Sequence, residues 1–347
     1  MTTVSEMETS SGRSAPEVLA WSRTCVDPAM RAAVDTLPGT LRQIVGYHFG
    51  WWDRDGRAVG AAGGKAIRPA LVLLSAEAVG GDPTAALPAA VAVELVHNFS
   101  LLHDDVMDGD RTRRHRDTAW AVYGVGPAIL AGDALLALAF DVLASCGHPA
   151  TMPAGRLLHG AVQDLLDGQS ADLAFEMRPE VELRECLGMA RGKTGALLGC
   201  ACALGATFGG ASWDRVGRFR EFGERLGLAF QFVDDLLGIW GDPAVTGKPV
   251  HADLRQRKKS LPVVAALTSG TPAGRELAVL YSGAPPSGDD LARAAELVAE
   301  AGGRDWSQAQ ADDLLGQALH YLRAAHPAAA PAAELTGLAG LVTHRDR

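Results

Sequence analysis

From Pro16 onward, apolar residues recur at helical spacing, and short Gly/Pro punctuation separates the stretches. Pro69–Val79 (PALVLLSAEAV) and Val125–Phe140 (VGPAILAGDALLALAF) are apolar on most faces, which predicts buried helices. Alternating β-branched runs are scarce and no internal repeat is apparent. The pattern predicts a single all-α domain, a helical bundle over residues 16–347. Residues 1–15, rich in Ser, Thr and Glu, carry little apolar mass and are expected to be disordered. Pro327–Pro331 reads as a linker before one last short helix.

With 347 residues and 48% hydrophobic content, the chain can build one sizeable core. Its formal net charge of −9, from 32 Lys+Arg against 41 Asp+Glu, argues against nucleic-acid binding, which needs a basic face. The five cysteines (Cys25, Cys146, Cys186, Cys200, Cys202) are an odd number at no metal or disulfide spacing. Cys200 and Cys202 lie in the small-residue run Gly199–Gly205, where core packing explains them. Free thiols suggest a reducing compartment. The N-terminus lacks a signal-peptide h-region, and no apolar run is expected to reach membrane-spanning length. A cytoplasmic protein without a transmembrane segment is expected.

The sharpest feature is Leu101–Arg114 (LLHDDVMDGDRTRR), which opens in an apolar helix and ends in charge. Asp104 and Asp108 are four apart, so on a helix their carboxylates share a face. Like charges there repel, and a divalent cation relieves them. Hard oxygen donors without Cys or His favour Mg²⁺. A solvated acidic helix end explains any one Asp, but poorly explains four within seven residues. A second pair, Asp234-Asp235, interrupts another apolar helix, with Gln231 on much the same face. Two such clusters suggest two helices facing one cavity, with phosphate oxygens completing the metal shell.

Asp312-Asp313-Leu-Leu-Gly316 repeats the letters of Asp234–Gly238, but its flanks are more polar. It reads as a decoy, an exposed helix start favoured by the dipole. A third set is basic. Lys65 and Arg68 stand three apart at a Gly-rich helix start, a good place for an anion. Arg113-Arg114, Lys193-Thr194, Lys248 and the run Arg255–Lys259 follow; singly, each fits a surface charge. Gly241–Lys248 is not a P-loop: five residues separate its glycines and Pro249 follows the Lys.

In combination these residues resemble the trans-isoprenyl diphosphate synthase (polyprenyl synthetase) family, of geranylgeranyl/farnesyl diphosphate synthase type, over roughly Leu41 to Pro262. The family's blocks occur in the family's order. They are Gly64–Pro69, Glu94–His97, Asp104–Asp108 with Arg113-Arg114, Gly168-Gln169 with Asp172, Lys193-Thr194, Asp234–Gly238, and Gly247–Pro249 with Asp253 and Lys258. The resemblance implies an all-α isoprenoid synthase bundle with a central cavity, and a homodimer. Metal ligands would be Asp104, Asp108 and Asp234, with Asp105 and Asp235 beside them. Lys193, Lys248, Lys258, Arg113 and Gln169 would meet the allylic diphosphate. Lys65, Arg68, His97 and Arg114 would hold isopentenyl diphosphate, and Gln231 and Thr194 would line the carbocation. Two departures stand out: Ala66 where most relatives carry Arg, and Gly238 where the motif ends in Asp. The stretch from Trp21 to Trp52 is similar to leaders of synthases packaged in encapsulin shells.

The implied reaction is Mg²⁺-dependent head-to-tail condensation. A class I terpene cyclase would lack the Lys65/Arg68/His97 block and carry an Asn/Ser/Glu triad. A noncatalytic subunit of a heteromeric synthase would lose an aspartate-rich motif. On a helical wheel, Ser100 and Val96 lie near the Asp104 face, and both are small or medium. The family places a length-limiting aromatic five residues before the first Asp, here Phe99. A C20 product is expected, with C15 as runner-up.

Overall fold

The computed structural model describes residues 12–59, 64, 66–243, 249–283 and 287–343. Lys65 and Lys248, two of the expected diphosphate ligands, fall outside the described residues. The expected helices are present and define an all-α domain. In the first half they are α1 (Ala15–Asp35), α2 (Gly39–His48), α3 (Ile67–Ala78), α4 (Leu87–Met107), α5 (Ala119–Tyr123), α6 (Val125–Ser145) and α7 (Thr151–Met177). Next come α8 (Leu183–Ala190), α9 (Ala196–Phe208) and α10 (Trp213–Trp240). After these follow α11 (Ala252–Arg255), α12 (Leu261–Leu267), α13 (Pro272–Ser282), α14 (Gly288–Glu300), α15 (Gly303–Ala324) and α16 (Ala329–Thr343).

The centre is α9, every residue of which is buried, Cys200 and Cys202 included. Its small side chains let neighbours approach closely. A Cβ on Gly205 would collide with the Val72 carbonyl on α3, and Gly223 of α10 packs against the Leu198 carbonyl. Removing that much apolar surface from water is the main stabilising term. Burial pushes the Cys202 thiol up to about 12, and the five cysteines are free, so the packing expectation holds.

Several details differ from expectation. Order extends upstream of residue 16: Ser14 and Glu17 form a capping box on α1, and Arg13 binds the buried Glu334 of α16 at 2.6 Å. Asp312 and Asp313 lie in the middle of α15, not at a helix start; each accepts from a Gln one turn away, and both face solvent. By length and composition two segments could cross a membrane, Pro83–Met107 and Val125–Ser145. The expectation that no apolar run is long enough is therefore corrected. Core packing accounts for the first, 61% of whose apolar window is buried; only 39% is buried in α6.

One small sheet was not foreseen. Thr112–Arg113 (β1) pairs antiparallel with Arg116–Asp117 (β2), a length too short to carry periodicity. Its two-residue loop is Arg114 (φ 49°) and His115 (φ 62°). Left-handed backbone at non-glycine residues costs about 1 kcal/mol or more each, so this turn is held by its surroundings.

Candidate active site

Both acidic clusters lie towards the C-terminal ends of their helices, where the macrodipole is already negative. Asp104 and Asp105 occupy the last turn of α4, and Asp108 caps it by donating its N–H to the Asp104 carbonyl at 2.8 Å. Burial pushes the Asp104 carboxyl up to about 6, against the pull of Lys193 and with a further push from Asp108. Burial also raises Asp108. Asp105 points inward at 1% exposure and holds Arg113 at 2.7 Å. That ion pair fixes the Arg113 guanidinium. The second Asp105 carboxylate oxygen has no hydrogen-bond partner.

On α10, Asp234 faces the cavity and Asp235 is buried. Asp235 accepts from Gln231 at 2.7 Å and from the Leu261 N–H at 2.9 Å. Thr194 in turn donates to Gln231 Oε1 at 2.6 Å, so a polar chain locks three expected site residues together. Burial lifts Asp235 to about 6. Burial works to lower the Lys258 ammonium, but Asp235, Asp253 and Asp172 outweigh it and raise its pKa.

Lys193 and Thr194 sit in a π-helical turn, Arg191–Gly195, between α8 and α9. Such bulges shift the register of following side chains and recur at functional sites. Gly168 makes room for it, because a Cβ there would strike the Lys193 backbone nitrogen. One turn along α7, Asp172 accepts from Lys193 Nζ at 2.6 Å. Gln169, buried between them, donates to the Met107 sulfur at 3.7 Å.

A cavity of about 850 Å³ joins Asp105 and Asp234, one carboxylate from each cluster, to a basic pocket. Asp105, Asp234, Leu101, Leu198 and Phe230 form one part of its lining, and Arg68, His97, Arg113 and Arg114 another. Burial holds the His97 imidazole well below its usual range, reinforced by Arg68 and Arg114, so the ring is neutral. The Arg114 guanidinium packs over Gly64, leaving no room for a side chain there. A second cavity of about 930 Å³ is lined by Asp108, Asp172, Asp253 and Lys258 among others. Neither is lined by Phe99 or Ser100. Phe99 is buried with its ring edge-on to His103 at 4.8 Å.

A polyprenyl synthetase family model matches residues 54–298. The chain belongs to the polyprenyl synthetase family. It is a prenyltransferase, similar to a (2E,6E)-farnesyl diphosphate synthase of Mycobacterium tuberculosis at 48% identity over 332 residues, 94% of this chain and 92% of that one. A geranylgeranyl diphosphate synthase of the same organism is 47% identical over 327 residues, again 94% and 92% of the two chains. Among solved structures, a polyprenyl synthetase from Streptomyces coelicolor superposes with a TM-score of 0.91 at 48% identity, covering 94% of this chain and 99% of its own.

A divalent cation fits the acidic donors of this polyprenyl synthetase. Among the described residues no three Asp, Glu, His or Cys side chains converge to close a metal site alone. Hard carboxylates on two helices, left incomplete, suit an ion that keeps positions for phosphate oxygens. The sequence did not single out Arg116 and His48, which also line the basic pocket. Nor did it reveal that Asp253 packs on Gly238, where a Cβ would strike its carboxylate. In the family's motif an Asp would stand at that position; here a carboxylate from α11 lies beside it.

Proposed function

We propose that the chain condenses an allylic diphosphate with isopentenyl diphosphate, using Mg²⁺, to give geranylgeranyl diphosphate (C20) and diphosphate. One observation carries this most: a single cavity brings Asp105 and Asp234, one carboxylate from each acidic helix end, together with a cluster of arginines and a neutral histidine. Two anionic substrates can meet there, one at each end. Asp104, Asp108 and Asp234 would hold the cation, which when bound neutralises charge on the leaving diphosphate.

The chain's own residues do the rest. Lys193 and Lys258, with Lys248 and Arg113, give the allylic diphosphate cationic contacts, and Gln169 sits beside Lys193. Arg68 and Arg114, with Lys65 and His97, hold isopentenyl diphosphate next to it. The Thr194–Gln231–Asp235 chain fixes polar dipoles in an otherwise apolar wall, where a carbocation is shielded from water. The departing diphosphate is the base for the final proton. C15 is the alternative product, since relatives of nearly equal identity are named for each length.

A homodimer is proposed, with α6 as its seam. Val125, Ile129 and Leu130 of this apolar helix are 48%, 38% and 58% exposed, an apolar strip that a second copy would cover. A cytoplasmic location goes with this reading. Packaging in an encapsulin shell rests on the Trp21–Trp52 resemblance alone; native co-purification with a shell protein tests it. The decisive assay is purified protein with radiolabelled isopentenyl diphosphate, Mg²⁺ and each allylic starter, followed by chain-length analysis. Turnover without a second subunit is expected. Cyclic hydrocarbon products, or no turnover alone, would overturn the proposal.

A further inference from the structure

The isopentenyl diphosphate pocket proposed above has one more wall, built from the end of α2 and the β1–β2 hairpin. Arg116 lies on it, half-buried, in the same cavity as Arg68 and Arg114. Its two terminal nitrogens donate to the Tyr47 and Trp52 carbonyls, each at 3.2 Å. The guanidinium plane also lies 4.5 Å over the Tyr47 ring. The clamp is itself braced: Tyr47 donates its hydroxyl to the Asp117 carbonyl at 2.8 Å, and Trp52 donates to the Gln43 carbonyl at 2.9 Å. These contacts fix the guanidinium without neutralising it.

Among the described residues no carboxylate lies within ion-pair distance of Arg116. Asp53 is close enough to feel its charge, but its Oδ1 accepts from the Arg57 and Asp55 N–H groups and neither oxygen reaches the guanidinium. Neighbouring His48 adds no charge. Asn98 donates its amide to the Glu94 carbonyl, so its oxygen accepts from His48 Nε2 at 3.2 Å, and burial pushes that imidazole down to about 3. A fixed cation beside two other arginines, partly out of water, is costly until an anion joins it. Two of its five N–H groups are engaged by the carbonyls, leaving donors for a ligand.

We propose that Arg116 is a binding residue for the isopentenyl diphosphate anion, pre-oriented by the Tyr47–Trp52 segment. The proposal rests on the assignment of this cavity to that substrate. A pre-oriented guanidinium contributes to binding of one substrate, so its loss appears in one Michaelis constant.

The test compares Arg116→Gln, Arg116→Lys and Arg68→Ala in steady-state condensation assays, with thermal melts of each. Arg116→Gln is expected to raise KM for isopentenyl diphosphate roughly ten-fold or more. KM for the allylic substrate should stay within about two-fold, with an unchanged melting temperature and partial recovery in Arg116→Lys. If Arg68→Ala raises that KM and Arg116→Gln does not, the proposal fails while the cavity assignment stands. Equal increases in both constants with a lowered melting temperature make Arg116 a structural residue and overturn the proposal. If neither variant affects isopentenyl diphosphate, the cavity assignment fails and the proposal with it.

Discussion

Replacing Asp104 with Asn should abolish catalysis and yet stabilise the metal-free protein. The carboxyl is lifted from 3.8 to about 6, mostly by burial and further by Asp108. Two units correspond to about 3 kcal/mol of penalty on the ionised form, and residual solvent access at the site reduces this to about 1–2 kcal/mol. Because the folded-state value is raised, the penalty is absent below about pH 4, grows as pH rises towards 6, and is complete above about pH 7. Asn keeps the shape and removes the charge. Unfolding entropy of about 2 cal/mol/K per residue over 347 residues converts the gain to about 2 °C. Thermal melts in chelator should show Asp104→Asn above wild type at pH 7.5, with the gap shrinking at pH 5. Excess Mg²⁺ should reverse the order, since only the wild type gains fully from binding. Turnover of the variant should fall by several orders of magnitude. A variant that melts at or below wild type in chelator at pH 7.5, or condenses at a near-normal rate, would refute the reasoning.

Gly168→Ala should push the π turn away from α7 and misplace Lys193, lowering kcat by about ten-fold or more while costing about 1–3 kcal/mol in denaturant melts. Gly238→Asp should strike the Asp253 carboxylate and lose about 1–3 kcal/mol; adding Asp253→Gly should recover most of it, and no recovery would show that the clash lies elsewhere. Phe99→Ala should lengthen the product and Ser100→Phe should shorten it. Unchanged lengths in both variants, read by chromatography of the dephosphorylated alcohols, would remove the basis for C20.

What could be read from sequence was whatever opposed local preference. Asp104, Asp108 and Asp234 stood out because carboxylates towards the end of an apolar helix are costly to place, and that cost is the signal on which the proposed cation site rests. Arg68 and His97 were legible only in company, through the resemblance. The π turn at Arg191–Gly195 was not, since its five residues suit an α-helix equally well, and the bulge is fixed by Gly168 on another helix. Asp312-Asp313 was misplaced because a polar approach to an acidic pair looks like a helix boundary, whereas here it is the solvent face of a continuous helix. Arg116 and His48 show the remaining limit most plainly. Each is an ordinary letter in its own segment, and the two become a site wall only when a hairpin with two strained left-handed residues folds against the end of α2. That strain is the physical link between fold and chemistry at this end of the cavity. The Arg114–His115 turn is unfavourable in isolation, and the Tyr47 hydroxyl on the Asp117 carbonyl and the Thr118 bonds to the Asp110 and Arg111 carbonyls hold it closed. The hairpin that presents Arg116 also carries Arg114, whose guanidinium packs over Gly64, so one local folding event brings both arginines to the cavity.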